Sequence, residues 1–338
     1  MKISIKTIAK LAGCSTATVS NVLNNKGMFS QKTRSRVLEI VKKNNYTRNA
    51  IGRNLRTGKT ETVGITFYRP NADIFRHEFY LGMMGALERT MAENNYEIIL
   101  SEYTDTMVER GELPPFLAKG KADGMIALGG FPQHSIELFA HSQHPVVMLD
   151  TYAENVDCVI TDGKTAVENA MKRLSELGHK RAFFFGFGLP DYNTDMRIQG
   201  FLSGVEKYGF DAQHSKICRN FVDTDGAVKE FQNIINGSAR PSVIVSANDK
   251  VAVELLSAAK DMGVRVPEDI SILGFDDTPI SRLTSPKLST IRTDIENMGR
   301  RGALLMLRRL ADKDAEPVVE ISVPQLIMRD SISRVAGA

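Results

Sequence analysis

Seven short apolar runs, separated by helical stretches along residues 61 to 338, restrict this chain more than any other feature. They are "TVGITF" (62–67), "EIILS" (97–101), "GMIAL" (124–128), "VVMLD" (146–150), "RAFFF" (181–185), "SVIVSA" (242–247) and "SILGF" (271–275). Each is too short for a buried helix and too continuously apolar for a half-exposed strand. They therefore read as strands buried on both faces of parallel sheets. Helical stretches near 165–177, 195–208, 226–236 and 249–262 alternate with the later runs, so the reading is an α/β body of two βαβ-type lobes in tandem. Such lobes bind ligands outside the carboxyl ends of their strands, which gives weight to the residue after each run. Asp150 follows "VVML", Asn248 and Asp249 follow "SVIVSA", Asp276 and Asp277 follow "SILGF", and "GFGLPDYNTDMR" after "RAFFF" delivers Arg197. Arginine, asparagine and carboxylates converging on one cleft can donate to and accept from vicinal hydroxyls, the chemistry that grips a sugar.

The first sixty residues follow a different period. Ile5, Ile8, Ala9 and Ala12 stand at i, i+3, i+4 and i+7 and form one stripe on a first helix, after which Gly13 turns the chain. Ser15 caps a second helix with Val19, Val22 and Leu23 inside and Ala17, Ser20, Asn21 and Asn24 outside. Ser30 caps a third, with Val37, Ile40 and Val41 buried and Asn44–Asn45 at its end. Helices this short are marginal alone and must pack on one another. The result is a three-helix head containing a helix-turn-helix, which presents its second helix to the DNA major groove.

Charge separates DNA from protein as the surface that helix meets. Residues 1 to 60 carry thirteen Lys and Arg against one acid, Glu39, a net of +12. The whole chain is only +3, so the remainder carries −9. A basic head on a faintly acidic body is the footprint of a polyanion-binding module attached to something that does not bind polyanions. Three scattered cysteines, Cys14, Cys158 and Cys218, suit a reducing compartment and make no metal spacing or disulfide framework. Without an apolar signal core or a run near eighteen apolar residues, the expectation is a cytoplasmic protein with no membrane contact.

Three stretches, "TIAKLAGCSTATVSNVLN", "SQKTRSRVLEIVKKNNY" and "PSVIVSANDKVAVELLSAAKDMGVRVPEDISILGFDDTPISRLTSPKLSTIRTD", resemble the LacI (lactose/galactose repressor) family of bacterial transcription regulators, and the resemblance spans nearly the whole chain. It implies a helix-turn-helix head at 1–48, a hinge helix and linker at 49–60, and a two-lobed, periplasmic-binding-protein-like core at 61–338. The first lobe would take residues 61–161 and 293–323, the second 162–292 and 324–338. It implies a homodimer on a near-palindromic operator, with Thr16, Ala17 and Asn21 at base edges and Leu55 prying open a base step in the minor groove. Ser4, Ser15, Thr18, Asn24, Ser30, Thr33, Asn49 and Arg56 complete the implied DNA-contacting set. For a sugar effector it implies Ile74, Phe75, Asp150, Arg197, Phe221, Asn248, Asp276 and Thr293, Phe221 being the stacking aromatic. The chain departs from the family at Arg48, where proline is usual, and at Gly52, where alanine is usual. Glycine there costs a helix about 0.5–1 kcal/mol, so the hinge is expected to fold less readily off DNA. No heptad tail follows "VPQLIMRDSIS", which favours a dimer over a tail-linked tetramer.

Other signals point nowhere. "GRNLRTGKT" spaces its glycines wrongly for a phosphate loop, and no strand precedes it. His134, His141 and His144 lack supporting groups for a metal, and "GFGLPD" is half of a dinucleotide fingerprint. No cofactor or catalysis is expected. A ligand-controlled repressor is therefore the leading reading, ahead of a periplasmic-type sugar binder and a nucleotide-using α/β enzyme. Arg197, Asn248 and Asp276 favour a pentose, hexose or glycoside, and a sugar acid can use the same arginine.

Overall fold

A serine three residues before a threonine starts each of the first three helices. In the computed structural model, which describes residues 3–23, 27–44, 46, 58–68, 75, 77–188 and 191–335, these are α1 (Ile5–Ala12), α2 (Thr16–Leu23) and α3 (Gln31–Lys43). The Ser4, Ser15 and Ser30 hydroxyls accept from the backbone N–H of Thr7, Thr18 and Thr33 at 3.3, 3.0 and 3.2 Å. Each hydroxyl also meets the threonine Oγ1, at 3.0, 2.9 and 2.9 Å. The caps satisfy amides that open a helix without partners. Gly13, at φ 61°, ends α1 in the left-handed region that glycine enters at no steric cost. Ile8, Ala9, Ala12, Val19, Val22 and Val37 form the core of this first unit, Met1–Thr60.

The second unit, Glu61–Ala338, holds two six-stranded sheets. In the first, the order is β11-β5-β4-β3-β1-β2, with β1 (Thr62–Tyr68), β2 (Glu97–Tyr103), β3 (Gly124–Leu128), β4 (Val146–Leu149), β5 (Asp157–Thr161) and β11 (Val319–Ser322), all parallel. In the second it is β12-β10-β9-β8-β6-β7, with β6 (Ala182–Phe185), β7 (Lys216–Cys218), β8 (Val243–Ser246), β9 (Ser271–Asp276), β10 (Ser289–Arg292) and β12 (Gln325–Ile327). Only β12 runs antiparallel, against β10. The chain thus changes sheet three times, after β5, after β10 and after β11.

Helices cover both faces of the inner strands, so their residues alternate between two cores rather than between core and water. β2, expected to be buried on both faces, is instead an edge strand with none of residues 97–101 buried and Leu100 44% exposed. In the first lobe Ile126 and Leu128 face Phe79, Met83, Leu87 and Met91 of α4 (Glu78–Glu93) and Met298, Leu305 and Met306 of α12 (Ile295–Ala311). Met125 and Ala127 face Phe116, Phe131 and Phe139. Gly299 lets α12 lie directly on α4, since a Cβ there would sit 2.1 Å from the Met83 carbonyl oxygen. The remaining helices are α5 (Asp105–Arg110), α6 (Pro115–Ala118) and α7 (Gln133–Ala140) in the first lobe, and α8 (Gly163–Glu176), α9 (Tyr192–Lys207), α10 (Thr224–Asn236) and α11 (Asp249–Asp261) in the second.

Two corrections concern boundaries and strands. Helices α8, α9 and α10 begin two or three residues earlier than their apolar periodicity indicates, because Asp162, Asp191 and Asp223 cap them. Strands β5, β7, β10, β11 and β12 lie outside the seven apolar runs. β5 opens with a buried aspartate, Asp157, made tolerable by Arg308 at 3.1 Å and Arg309 at 2.8 Å from α12.

Candidate effector cleft and reading helix

In the head, packing leaves one face of α2 outside. Val19 and Val22 are buried, while Thr16, Ala17 and Asn21 are exposed, as are Ser4, Ser15 and Ser30. Thr18 and Thr33 are half-buried beside the serines they follow. Ala17 and Asn21 are four apart and so share a helix face. Asparagine can bond bidentately to adenine and the alanine methyl can meet thymine. Of the expected head and hinge contacts, Asn24, Asn49, Leu55 and Arg56 lie outside the described residues, and so does the hinge segment 49–57.

In the body, carboxyl ends of strands from both lobes converge. Asp150 follows β4 at φ 62° and Asp276 closes β9 at φ 110°, unusual backbone that swings both carboxylates out of line with their strands. Tyr80 on α4 donates to Asp150 Oδ2 at 3.2 Å. Asn193 on α9 donates to the Asp150 carbonyl at 2.8 Å and ties the second lobe to the first. One turn further along α9, Arg197 Nη2 lies 3.7 Å from Asp276 Oδ1, close enough for an ion pair and too far for a hydrogen bond. Nη1 donates to the Ala247 carbonyl beyond β8, and the guanidinium carbon stacks 3.7 Å from the Phe275 ring centroid. Gly163 makes room for the arginine stem, since a Cβ there would stand 3.1 Å from Arg197 Cγ. Thr293 donates its N–H to the Asp276 carbonyl at 3.3 Å.

Among the described residues, four polar atoms in this cluster are buried without a hydrogen-bond partner: Asp150 Oδ1, Arg197 Nε, Asp276 Oδ1 and Thr293 Oγ1. Buried polar groups are nearly always bonded, so such a concentration marks a place where bonds are made to something else. Burial dominates the electrostatics as well. It pushes the Asp150 carboxyl up to about 7, with Arg197 opposing and Asp191 reinforcing. It raises Asp276 well above the usual range, again against Arg197, with Asp249 and Asp150 adding repulsion. On the rim, burial and the nearby cations Lys250 and Arg197 hold His77 at about 4, so its ring is neutral at physiological pH. A cavity of about 270 Å³ opens beside it, lined by His77, Lys250, Glu254, Thr278 and Ile280.

Other expected residues fall elsewhere. Asn248 is half-buried and spends its oxygen capping α11, accepting from Val251 N–H at 2.9 Å. Phe221 is buried against Phe185 and Phe187 in the second-lobe core, ring centroids 5.8 and 6.0 Å away. Phe75 is exposed and meets Phe67 edge-on at 5.7 Å. Ile74 lies outside the described residues. Asp249 and Asp277 are structural: Asp249 accepts from Thr278 and Thr290, and Asp277 binds Arg282, Arg292 and Arg329. Sequence reasoning missed Tyr80, Asn193 and His77. Asn193 had a signal, lying four residues before Arg197 and so on the same helical face.

Two family models match the chain, one for bacterial regulatory proteins of the lacI family over residues 4–49 and one for a periplasmic binding protein-like domain over residues 171–332. The chain carries a lacI-family regulatory head and a periplasmic binding protein-like core. It is a DNA-binding transcriptional regulator, as that family's head and core combination is. The ribose operon repressor of Haemophilus influenzae is 26% identical over 331 residues, spanning 97% of this chain and 98% of that one. The transcriptional repressor PurR of Pasteurella multocida is 27% identical over 333 residues, spanning 97% and 98%. The lac repressor dimer, solved with operator and the anti-inducer ONPF, has the same fold at a TM-score of 0.84 and 20% identity, covering 98% of this chain and 99% of that one. Among the described residues, no helix is long and apolar enough to cross a membrane, and no group of His, Cys, Asp and Glu could hold a metal ion.

Proposed function

We propose that this chain is a cytoplasmic repressor of carbohydrate-metabolism genes. It binds a near-palindromic duplex operator as a homodimer, and a small sugar or sugar derivative between its lobes sets its affinity for that operator. The observation that carries the reading is the set of four buried polar atoms without a partner among the described residues, fed from both lobes, on a chain whose head holds +12. A ligand bonding to Asp150 on one lobe and to Arg197 and Asp276 on the other favours one lobe arrangement. It changes DNA affinity only through that differential grip, and the coupling is reciprocal. The related ribose operon repressor and the lac repressor dimer on its operator support the sugar, the dimer and the duplex. In the head, Thr16, Ala17 and Asn21 read base edges, the capped serines and their helix amides hold phosphates, and segment 49–57 enters the minor groove with Leu55 as wedge.

Selection of bound duplexes from a random library tests the DNA half. The expected product is one motif made of two inverted half-sites, lost from Asn21→Ala while binding to bulk DNA survives. Enrichment of no motif, or equal loss on random DNA, would count against base reading by α2. Steep loss of affinity with rising salt is also expected, because thirteen head cations displace counterions.

A further inference from the structure

Three passages of the chain join the two lobes covalently, and helix α9 adds a further connection that is made only of contacts and so can break. The helix belongs to the second lobe, where glycines seat it on α8. A Cβ at Gly200 would stand 2.2 Å from the Lys164 carbonyl oxygen, and one at Gly204 would stand 2.4 Å from Met171 Cβ. Seated that closely, α9 moves with its own lobe. Its first turn nevertheless reaches into the other one. Asp191 caps that turn, accepting from the Thr194 N–H and hydroxyl, each at 2.8 Å, and so fixes the two residues between them. Tyr192 packs on the first-lobe core, and its ring stacks on Tyr152 with centroids 5.8 Å apart and planes 26° from parallel. Asn193, which is buried, donates to the Asp150 carbonyl at 2.8 Å. Asp150 and Tyr152 stand directly after β4 of the first lobe. Arg197 follows four residues after Asn193 on the same helical face, so the turn that grips the first lobe also sets where the guanidinium stands against Asp276.

We propose that the first turn of α9 is a latch between the lobes. Tyr192 and Asn193 hold the arrangement in which Asp150 faces Arg197 and Asp276, and they do so through protein contacts alone. Latch strength then sets the fraction of free protein already in that arrangement, and a ligand that bridges the lobes binds more tightly the larger that fraction is. Releasing the latch also shifts operator affinity with no ligand added, because lobe arrangement is what reaches the head. That last step rests on the coupling proposed above; the latch itself does not. The ring stack is the part that a substitution removes cleanly, since Tyr152 is 41% exposed and its removal empties no core.

The test compares the full chain with Tyr152→Ala, Tyr192→Ala, the double variant and Tyr192→Phe. Each is measured without ligand, by small-angle scattering and by anisotropy on the operator recovered by selection. Either alanine should enlarge the radius of gyration and change operator affinity by about tenfold, both in the same direction. The double variant should go no further, because each single change already removes the stack. Tyr192→Phe keeps the ring and should match wild type. Should Tyr192→Ala fail to fold, Tyr152→Ala carries the comparison alone. Scattering unchanged by loss of either ring would overturn the latch and leave the repressor reading standing. Expanded scattering with operator affinity unchanged would overturn the latch's control of the head together with the coupling proposed above.

Discussion

Replacing Asp150 with asparagine should stabilise this protein at neutral pH, an unusual outcome for a substitution in a buried site. The carboxyl is held at about 7 in the folded chain, against 3.8 as an ordinary aspartate, chiefly because burial disfavours its ionised form. Its folded value is raised, so the stability it allows is fully present below the unfolded value and is lost as pH rises toward 7. At about 1.4 kcal/mol per pH unit, the ionised carboxylate costs the fold about 4 kcal/mol above pH 7. Asparagine is nearly isosteric, can still accept from Tyr80, leaves the Asn193 bond to the Asp150 backbone intact, and never ionises. Paired urea titrations of wild type and Asp150→Asn should give equal stabilities near pH 4. The variant's advantage should then grow across pH 4 to 7 and level off near 4 kcal/mol, other titrating groups cancelling in the difference. A bound sugar should narrow the gap, because ligand hydroxyls stabilise the ionised wild-type carboxylate and find a weaker acceptor in the variant. A pH-independent difference, or a variant less stable at pH 8, would refute the reasoning: the carboxylate would then be satisfied where it lies.

Asp277 should behave in the opposite sense. Burial alone would raise it, but bonds from Arg329, Arg292, Ser281 and Arg282 hold it at about 2. Its stabilisation is present above the unfolded value of 3.8 and lost as pH falls through about 2. Asp277→Ala should cost about 3 kcal/mol at pH 7 by urea titration, the low end for a broken buried pair because Arg282 and Arg292 can rehydrate. Gly299→Ala should lower the melting temperature with a loss of about 3 kcal/mol, since the Met83 backbone cannot yield to the new methyl. Gly85→Ala on α4 meets nothing closer than Arg89 Nη1 at 3.6 Å and should be neutral or stabilising. Equal effects of the two would remove the close α4–α12 approach as the cause.

Local patterns made the head and most of both sheets legible. Ser4, Ser15 and Ser30 announce their helices because a cap acts within three residues. The strands from Thr62 onward read out because helices on both faces leave them largely apolar, and Asp150, Arg197 and Asp276 follow from where such strands end. What stayed hidden depends on distant partners. Asp157 looks wrong for a strand until Arg308 and Arg309 arrive from 151 and 152 residues away. β10 reads as polar because Ser289 and Thr290 are buried against Arg329 N–H and Asp249. Tyr80 carries no local sign of the cleft at all. Phe221 was assigned to a stacking role by resemblance, and its surroundings are Phe185 and Phe187.

Energetic coupling between the polar cleft and the basic head is what makes a ligand-controlled regulator of this chain. Its most direct test is operator affinity by fluorescence anisotropy, on the duplex recovered by selection, with and without the sugar that binds best. Wild type should change by about 5- to 150-fold, matched by an equal effect of operator on sugar affinity. Asp276→Ala should show no change. A sugar that binds the core and leaves operator affinity untouched would contradict it.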